Sequence, residues 1–212
     1  MNSKNIATFN PDLPIHMTFE EHDWHLLVQH WYPIALARDI TDQPTATMLL
    51  DMPLVIYKMG ENLIVAKDAC PHRGVPLSLG KNDGQGVVCR YHGLRFGEKG
   101  HCNRIPAHPE QKISERFNLK TYAAVERYGL IWCSLTVAKN AKPNIPVMPF
   151  WDDAEYQQLV CPKVDIQCFA GRQLEGFIDV AHFAWVHPET FGDPENVEVP
   201  DYTTTETDYG FS

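Results

Sequence analysis

The sequence predicts an α+β chain that is mostly β: a small all-β domain, then the start of a domain built from a helix and an antiparallel sheet. Three observations predict it. Short β-branched and aliphatic runs, punctuated by Gly, Asn and Asp turns, occupy the chain from about residue 33 to 137. Two short Cys/His pairs, Cys70 with His72 and Cys89 with His92, interrupt those runs as loops. Beyond a proline-rich stretch come one helical segment and a Thr-rich, alternating tail.

Composition narrows the function classes. At 212 residues, 44% hydrophobic and 21% charged, the chain has the makings of a soluble globular protein with a sizeable core. A formal net charge of -9 argues against a nucleic-acid partner, which needs a basic footprint. No apolar run reaches membrane-spanning length, and no basic region precedes an apolar core at the N-terminus. The six cysteines have no framework-like spacing once Cys70 and Cys89 are set aside, so Cys102, Cys133, Cys161 and Cys168 read as free thiols in a cytoplasmic protein.

The elements follow in order. Residues 1–18 read as an extended lead-in, and 1–32 as an extension that ends in a helix. Thr18 reads as its N-cap, with Glu20 and Glu21 near the positive helix end. Trp24, Leu27, Val28 and Trp31 recur at helical intervals, predicting a helix over 19–31. His22, His25 and His30 lie on or near it; a three-histidine metal site is conceivable, and solvated histidines are the plainer reading.

A β domain is expected over 33–137, with strands at 47–50, 54–58, 62–67, 86–90 and 123–134. Turns fall at 60–62, 82–84 and 97–100. Residues 138–151, with Lys139, Asn140, Lys142 and prolines at 143, 146 and 149, read as a crossing into a second domain spanning 138–212. There 156–170 should be extended, 173–185 helical and 196–212 the opening strands of a sheet.

The pattern C-x-H, sixteen residues, then C-x-x-H brings two thiolates and two imidazoles together on two tight loops. Two Cys on one iron and two His on the other make the Rieske variety of [2Fe-2S] cluster. The rival is a structural Cys2His2 zinc site, although zinc fingers pair Cys with Cys and His with His. Around the pattern stand Cys70-Pro71-His72-Arg73-Gly74, Pro76-Leu77-Ser78-Leu79-Gly80, Cys89-Arg90-Tyr91-His92-Gly93 and Ile105-Pro106-Ala107. This stretch resembles the Rieske domain of ring-hydroxylating and demethylating oxygenases, and Tyr128-Gly129-Leu130-Ile131-Trp132 resembles its last strand. The resemblance implies that Cys70 and Cys89 hold the buried iron, and His72 and His92 the outer one. Family members often carry Pro and Trp where this chain has Arg90 and Leu94, a departure that bears on surface detail and leaves the ligands intact.

A second constellation reads D-x-x-H-x-x-x-x-H, from Asp179 through His182 to His187. On a helix Asp179 and His182 lie about 60° apart, whereas His182 and His187 would lie about 140° apart. Pro188 disfavours helix at His187, so the helix should end there and free His187 to swing back. Two histidines and a carboxylate with open positions suit a non-haem Fe(II) site; the plain alternative is a core helix with incidental histidines. Downstream of a Rieske pattern this motif again resembles Rieske oxygenase catalytic subunits. That resemblance implies that His182 and His187 bind iron. Asp179 would instead be an electron-transfer bridge, linking an iron-bound His to a cluster-bound His of a neighbouring subunit. Many demethylase-like members have Asn where Gly176 stands here. The family's third ligand is a carboxylate far downstream, expected outside this chain; Asp193, Glu195, Glu198 and Asp201 are the nearest substitutes within it.

The implied function is that of the terminal oxygenase component of a Rieske non-haem iron oxygenase, represented by its N-terminal part and nearer the monooxygenase and demethylase branch than the ring dihydroxylases. Its implied cofactors are a [2Fe-2S] cluster and a mononuclear Fe(II). Its implied partners are a reductase (alone or with a ferredoxin), O2, a small and aromatic organic substrate, and further copies of the chain in a homotrimer or a multiple of it. Two rivals remain: a Rieske ferredoxin-like electron carrier without oxygen chemistry, and a zinc-stapled interaction domain.

Overall fold

The computed structural model describes residues 13–136, 141–207 and 210–211. The lead-in over residues 1–12, and Lys139 and Asn140 of the crossing, lie outside the described residues. The chain divides into two compact units, Met1–Lys163 and Val164–Ser212.

In the first unit, helix α1 (Glu21–Leu27) is shorter than the periodicity suggests and is capped at Glu20. Thr18 is not its cap: the Thr18 amide and hydroxyl both donate to the Asp51 carboxylate, at 2.7 and 2.8 Å. Trp24 and Val28, one turn apart, are buried in the main core, and Trp24 Nε1 donates to the Leu50 carbonyl at 2.9 Å. Trp31 lies beyond the helix, packed with Ala123, Trp132 and Ile145.

The strands are β1 (Tyr32–Leu36), β2 (Thr45–Leu49), β3 (Met52–Met59), β4 (Asn62–Lys67), β5 (Lys81–Asn82), β6 (Val87–Val88), β7 (Arg95–Phe96), β8 (Cys102–Arg104), β9 (Thr121–Arg127) and β10 (Leu130–Ser134). Six form an antiparallel sheet in the order β1-β10-β9-β4-β3-β2. Thr47 Oγ1 donates to the Ile34 carbonyl at 2.8 Å, so the two outermost strands meet and the sheet curls toward closure. The remaining four, in the order β5-β6-β7-β8, form a second antiparallel sheet.

The single run expected over 123–134 is two strands, folded at Tyr128 and Gly129, both with positive φ (58° and 68°). An aromatic residue in the left-handed region carries no sequence signature, which hid the hairpin. The strand expected over 86–90 is only Val87–Val88, because Cys89 already belongs to a loop.

What holds the second sheet in place is written in β3. Leu54 and Ile56 face the main core, while Val55 and Tyr57 face a second core with Leu77, Val87, Leu94 and Phe96. A strand buried on both faces reads as a continuous apolar run, as Leu54-Val55-Ile56-Tyr57 does. Two polar ties join the sheets: Tyr57 Oη donates to the Gly97 carbonyl (2.9 Å) and Asn82 Nδ2 to the Lys58 carbonyl (2.6 Å).

In the second unit the helix expected over 173–185 is broken into α2 (Ala170–Ile178) and α3 (Phe183–Val186). Asp179 has extended backbone (φ -89°, ψ 104°) and ends the first piece. A hairpin of β11 (Glu206–Thr207) and β12 (Gly210–Phe211) follows, smaller than the strands expected over 196–212. Residues 156–170 hold no regular strand. Among the described residues no helix is long and apolar enough to cross a membrane.

Candidate metal centre

The two Cys/His loops are built alike. In the first, the Cys70 amide donates to the Val75 carbonyl (2.9 Å) and the Gly74 amide to the Cys70 carbonyl (2.8 Å). In the second, the Cys89 amide donates to the Leu94 carbonyl (2.8 Å) and the Gly93 amide to the Cys89 carbonyl (3.0 Å). Gly74 and Gly93 stand at the same step of each loop with φ of 71° and 70°, a left-handed turn that a side chain resists. The histidine falls at the third position of one frame and the fourth of the other, which is why the spacings differ although the loops match.

This frame points the thiols inward and the imidazoles outward. Cys70 and Cys89 are 3% and 2% exposed, in the core shared with β3 and β4, whereas His72 and His92 are exposed with ring centroids 4.7 Å apart. Burial pushes the Cys70 thiol up to about 11, the backbone N–H groups of His72 and Arg73 pull it down, and Cys89 beside it pushes it up again. A thiol so placed is protonated at neutral pH without metal, and metal binding must release that proton. The N–H groups aimed at the sulfur are those a bound thiolate would use. Slight desolvation of the outward ring lowers the His72 pKa, and the charges of His92 and Arg73 lower it further. Both imidazoles open onto a depression of about 360 Å³, shared with Ile105, Ile113 and Phe117 and rimmed by His108, Lys112 and Arg116.

The donor set fits a cluster with two sulfur and two nitrogen ligands: a buried thiol pair and an outer imidazole pair, each held by backbone. Among the described residues no three His, Cys, Asp or Glu side chains converge on one single-ion position. A lone zinc ion would draw all four groups to one point, so the inner and outer pairing suits a two-iron centre better.

The sequence missed several supports of these loops. Asp68 receives the Ser78 amide (2.8 Å) and hydroxyl (2.5 Å), which ties down the first loop at its base. Tyr91, 61% exposed, lies against His92 with ring centroids 3.8 Å apart. Leu94 is not surface detail: it is 3% exposed, and its carbonyl closes the second loop.

The second constellation sits at the broken helix. The break does what a shared helix face was expected to do: Asp179 Oδ2 lies 3.7 Å from His182 Nδ1, while Asp179 Oδ1 accepts the Ala181 amide at 3.0 Å. His182 and His187 have ring centroids 5.3 Å apart, and His187 ends α3 with non-helical backbone, as Pro188 requires. Phe191 packs against His187 at 4.6 Å. The Gly192 amide donates to the His187 carbonyl at 2.9 Å, closing the turn. Two imidazoles can share a metal there. None of Asp193, Glu195, Glu198 and Asp201 joins them among the described residues, and Asp193 instead accepts the Glu195 amide in a local turn. His22, His25 and His30 form no three-histidine site; His25 faces Glu21 at 3.5 Å. All six cysteines are free.

Residues 30–123 match the family described as "Rieske [2Fe-2S] domain". The chain is 32% identical to methylxanthine N1-demethylase NdmA of Pseudomonas putida, over 80% of this chain and 50% of that protein. It is also 32% identical to the vanillate O-demethylase oxygenase subunit of a Pseudomonas strain, over 84% and 50%. The chain thus spans about half the length of the curated relatives it matches. Among solved structures NdmA superposes with a TM-score of 0.74 at 31% identity, covering 85% of this chain and 56% of NdmA. Dicamba monooxygenase, solved with non-haem iron and dicamba, superposes with a TM-score of 0.56 at 32% identity, covering 61% of this chain and 40% of its own.

Proposed function

From a chain that carries a Rieske [2Fe-2S] domain and groups with the oxygenase subunits of Rieske monooxygenases and demethylases, we propose the oxygenase component of an O2-dependent hydroxylating or demethylating system. The observation that carries this reading is the pair of matched loops, thiols buried and imidazoles presented, followed by two histidines at a helix break.

Cys70 and Cys89 supply the inner ligands of the [2Fe-2S] cluster, and His72 and His92 the outer ones. His182 and His187 hold a mononuclear iron, whose third ligand is a carboxylate from elsewhere. When bound, the cluster supplies one electron at a time and the open iron positions supply oxygen activation. The side chains of this chain do the rest. Gly74 and Gly93 let the loops turn, and Asp68 holds the first loop at its base. Asp179 bridges the two centres: one oxygen stands 3.7 Å from His182 Nδ1, and the carboxylate meets a cluster-bound histidine of a neighbouring subunit. That role calls for a homotrimer or a multiple of it, with a reductase (alone or with a ferredoxin) as electron source and a cytoplasm that keeps the four remaining thiols reduced. The substrate is a small aromatic compound, and the demethylase relatives favour a methylated one.

The rival reading is a Rieske ferredoxin-like carrier, which needs only the four cluster ligands Cys70, His72, Cys89 and His92. Iron analysis of the purified full-length protein separates the two. Three irons per chain, two acid-labile sulfides and a mixed nitrogen–sulfur paramagnetic signal on reduction are the expected result. Two irons would mean a carrier, and a colourless protein would end both readings. Screening for formaldehyde against cis-diol then separates demethylation from ring dihydroxylation.

A further inference from the structure

The cluster lobe carries the opposite charge from the rest of the chain. Residues 68–120 hold nine Lys or Arg against five Asp or Glu, in a chain with 18 against 27. Three of the nine line a single depression. Behind the Cys89 loop lies an open depression of about 690 Å³, lined by Leu79, Lys81, Asp83, Cys89, Arg90 and Arg104 among others. Asp83, its one acidic lining residue among those described, is taken by Arg95 at 3.2 Å. Lys81, Arg90 and Arg104 therefore set the sign of the field there. Leu79, 55% exposed, stands beside them and adds apolar area to an Arg-bearing surface, as a protein contact requires.

We propose that this basic face behind the Cys89 loop is the docking surface for the acidic face of the electron-donor protein. The inference rests on the oxygenase reading above and adds to it the place where the donor binds. The two faces of the lobe differ in the partner they suit. The imidazole face has Ile105, Ile113 and Phe117 in its floor, apolar surface that suits a lasting contact between subunits. The Cys89 face is charged and open, which suits a donor that must arrive fast, transfer and leave. Its wall includes Cys89 itself, so a docked donor stands one loop away from the cluster position. The step moves one electron: the donor centre is oxidised, the Rieske cluster is reduced, and no bond or proton changes. A plant-type [2Fe-2S] ferredoxin, whose potential lies below that of a Rieske centre, is a downhill donor to it.

The test measures binding of pre-reduced plant-type ferredoxin to the full-length protein across salt concentrations, with assembly mass and cluster spectrum in parallel. The double variant Lys81→Glu/Arg104→Glu should weaken binding about tenfold or more at low salt, and the difference should vanish near 1 M salt, where the Debye length is about 3 Å. The milder Lys81→Gln/Arg104→Gln should weaken it about threefold, which guards against misfolding as the cause. Lys99→Glu, in the same lobe and outside both depressions, should leave donor affinity within about twofold. Unchanged affinity in the first variant, equal loss in Lys99→Glu, no ferredoxin binding by the wild type, or dissociation of the assembly by Lys81→Glu/Arg104→Glu would each overturn the proposal. Failure of the oxygenase reading shows separately, as wild-type protein with no cluster spectrum, and takes this proposal with it.

Discussion

Gly74 and Gly93 hold the same place in two matched loops, yet they should not tolerate a methyl group equally. A Cβ at Gly74 meets nothing within 4 Å, whereas at Gly93 it would lie 3.0 Å from Pro106 Cγ. Gly74→Ala should cost only the left-handed penalty of about 1–2 kcal/mol. Gly93→Ala should cost more and lower the iron retained per chain, read by urea unfolding and metal analysis side by side. Cys133 allows a second comparison, because burial alone pushes its thiol up to about 12. In the unfolded chain a thiol ionises near about 8.5. The folded pKa is the higher one, so this stabilisation is complete below about pH 8.5 and is lost as pH rises through about 12. Unfolding midpoints of the metal-free protein should therefore fall with pH above about 8.5. They should fall less steeply in Cys133→Ala; an identical slope in the variant would remove Cys133 as the cause. Residues of this kind differ in how far the sequence discloses them. Cys70, His72, Cys89 and His92 are rare types at tell-tale spacings. Asp68 clamping Ser78, or Tyr91 leaning on His92, are ordinary residues whose meaning exists only once the loops are folded.

At the scale of elements, the β3–β4 region was legible and the helical region only half so. The run Leu54-Val55-Ile56-Tyr57 announces a strand, and its burial on both faces is why the run is unbroken. Thr18 followed by two acidic residues resembles a cap, but Asp51, brought close by the β2–β3 hairpin, takes the Thr18 hydrogen bonds instead. No local pattern contains that partner. The segment over 173–185 has helical periodicity throughout, yet it breaks at Asp179, whose backbone is extended. The break makes the Asp179 carboxylate available to His182 by local geometry, at 3.7 Å, in place of the helix-face spacing that first suggested the pair. Asp179→Asn keeps the shape and the local bond to the Ala181 amide while removing the charge. Both metals should remain bound and the cluster should still be reducible, with product formation in a single turnover falling by about a hundredfold or more. Loss of iron on the same substitution would make Asp179 a structural residue of the break and nothing else.

At the scale of the whole molecule, charge is sorted along the chain. Residues 164–212 contain one Arg and ten Asp or Glu, a balance of -9, against +4 for residues 68–120. A uniform composition would have spread that charge, and the overall figure of -9 conceals the basic lobe. In a proposed assembly where Asp179 of one copy meets a cluster-bound histidine of the next, the acidic segment approaches the imidazole face of the lobe. Lys112, Arg116 and His108 rim that face, and Phe117 and Ile113 floor it. Association should then combine apolar burial with attraction between opposite charges, and only the second is screened by salt. Raising salt from about 0.05 to 0.5 M should loosen the assembly of the full-length protein without dissolving it, since the Debye length shortens well below the span of the contact. Lys112→Glu/Arg116→Glu should lower the assembly mass at low salt, measured by sedimentation. Lys81→Glu/Arg104→Glu, behind the Cys89 loop, should leave that mass unchanged. An assembly indifferent to both salt and Lys112→Glu/Arg116→Glu would mean that the sorted charge serves something other than contact between copies.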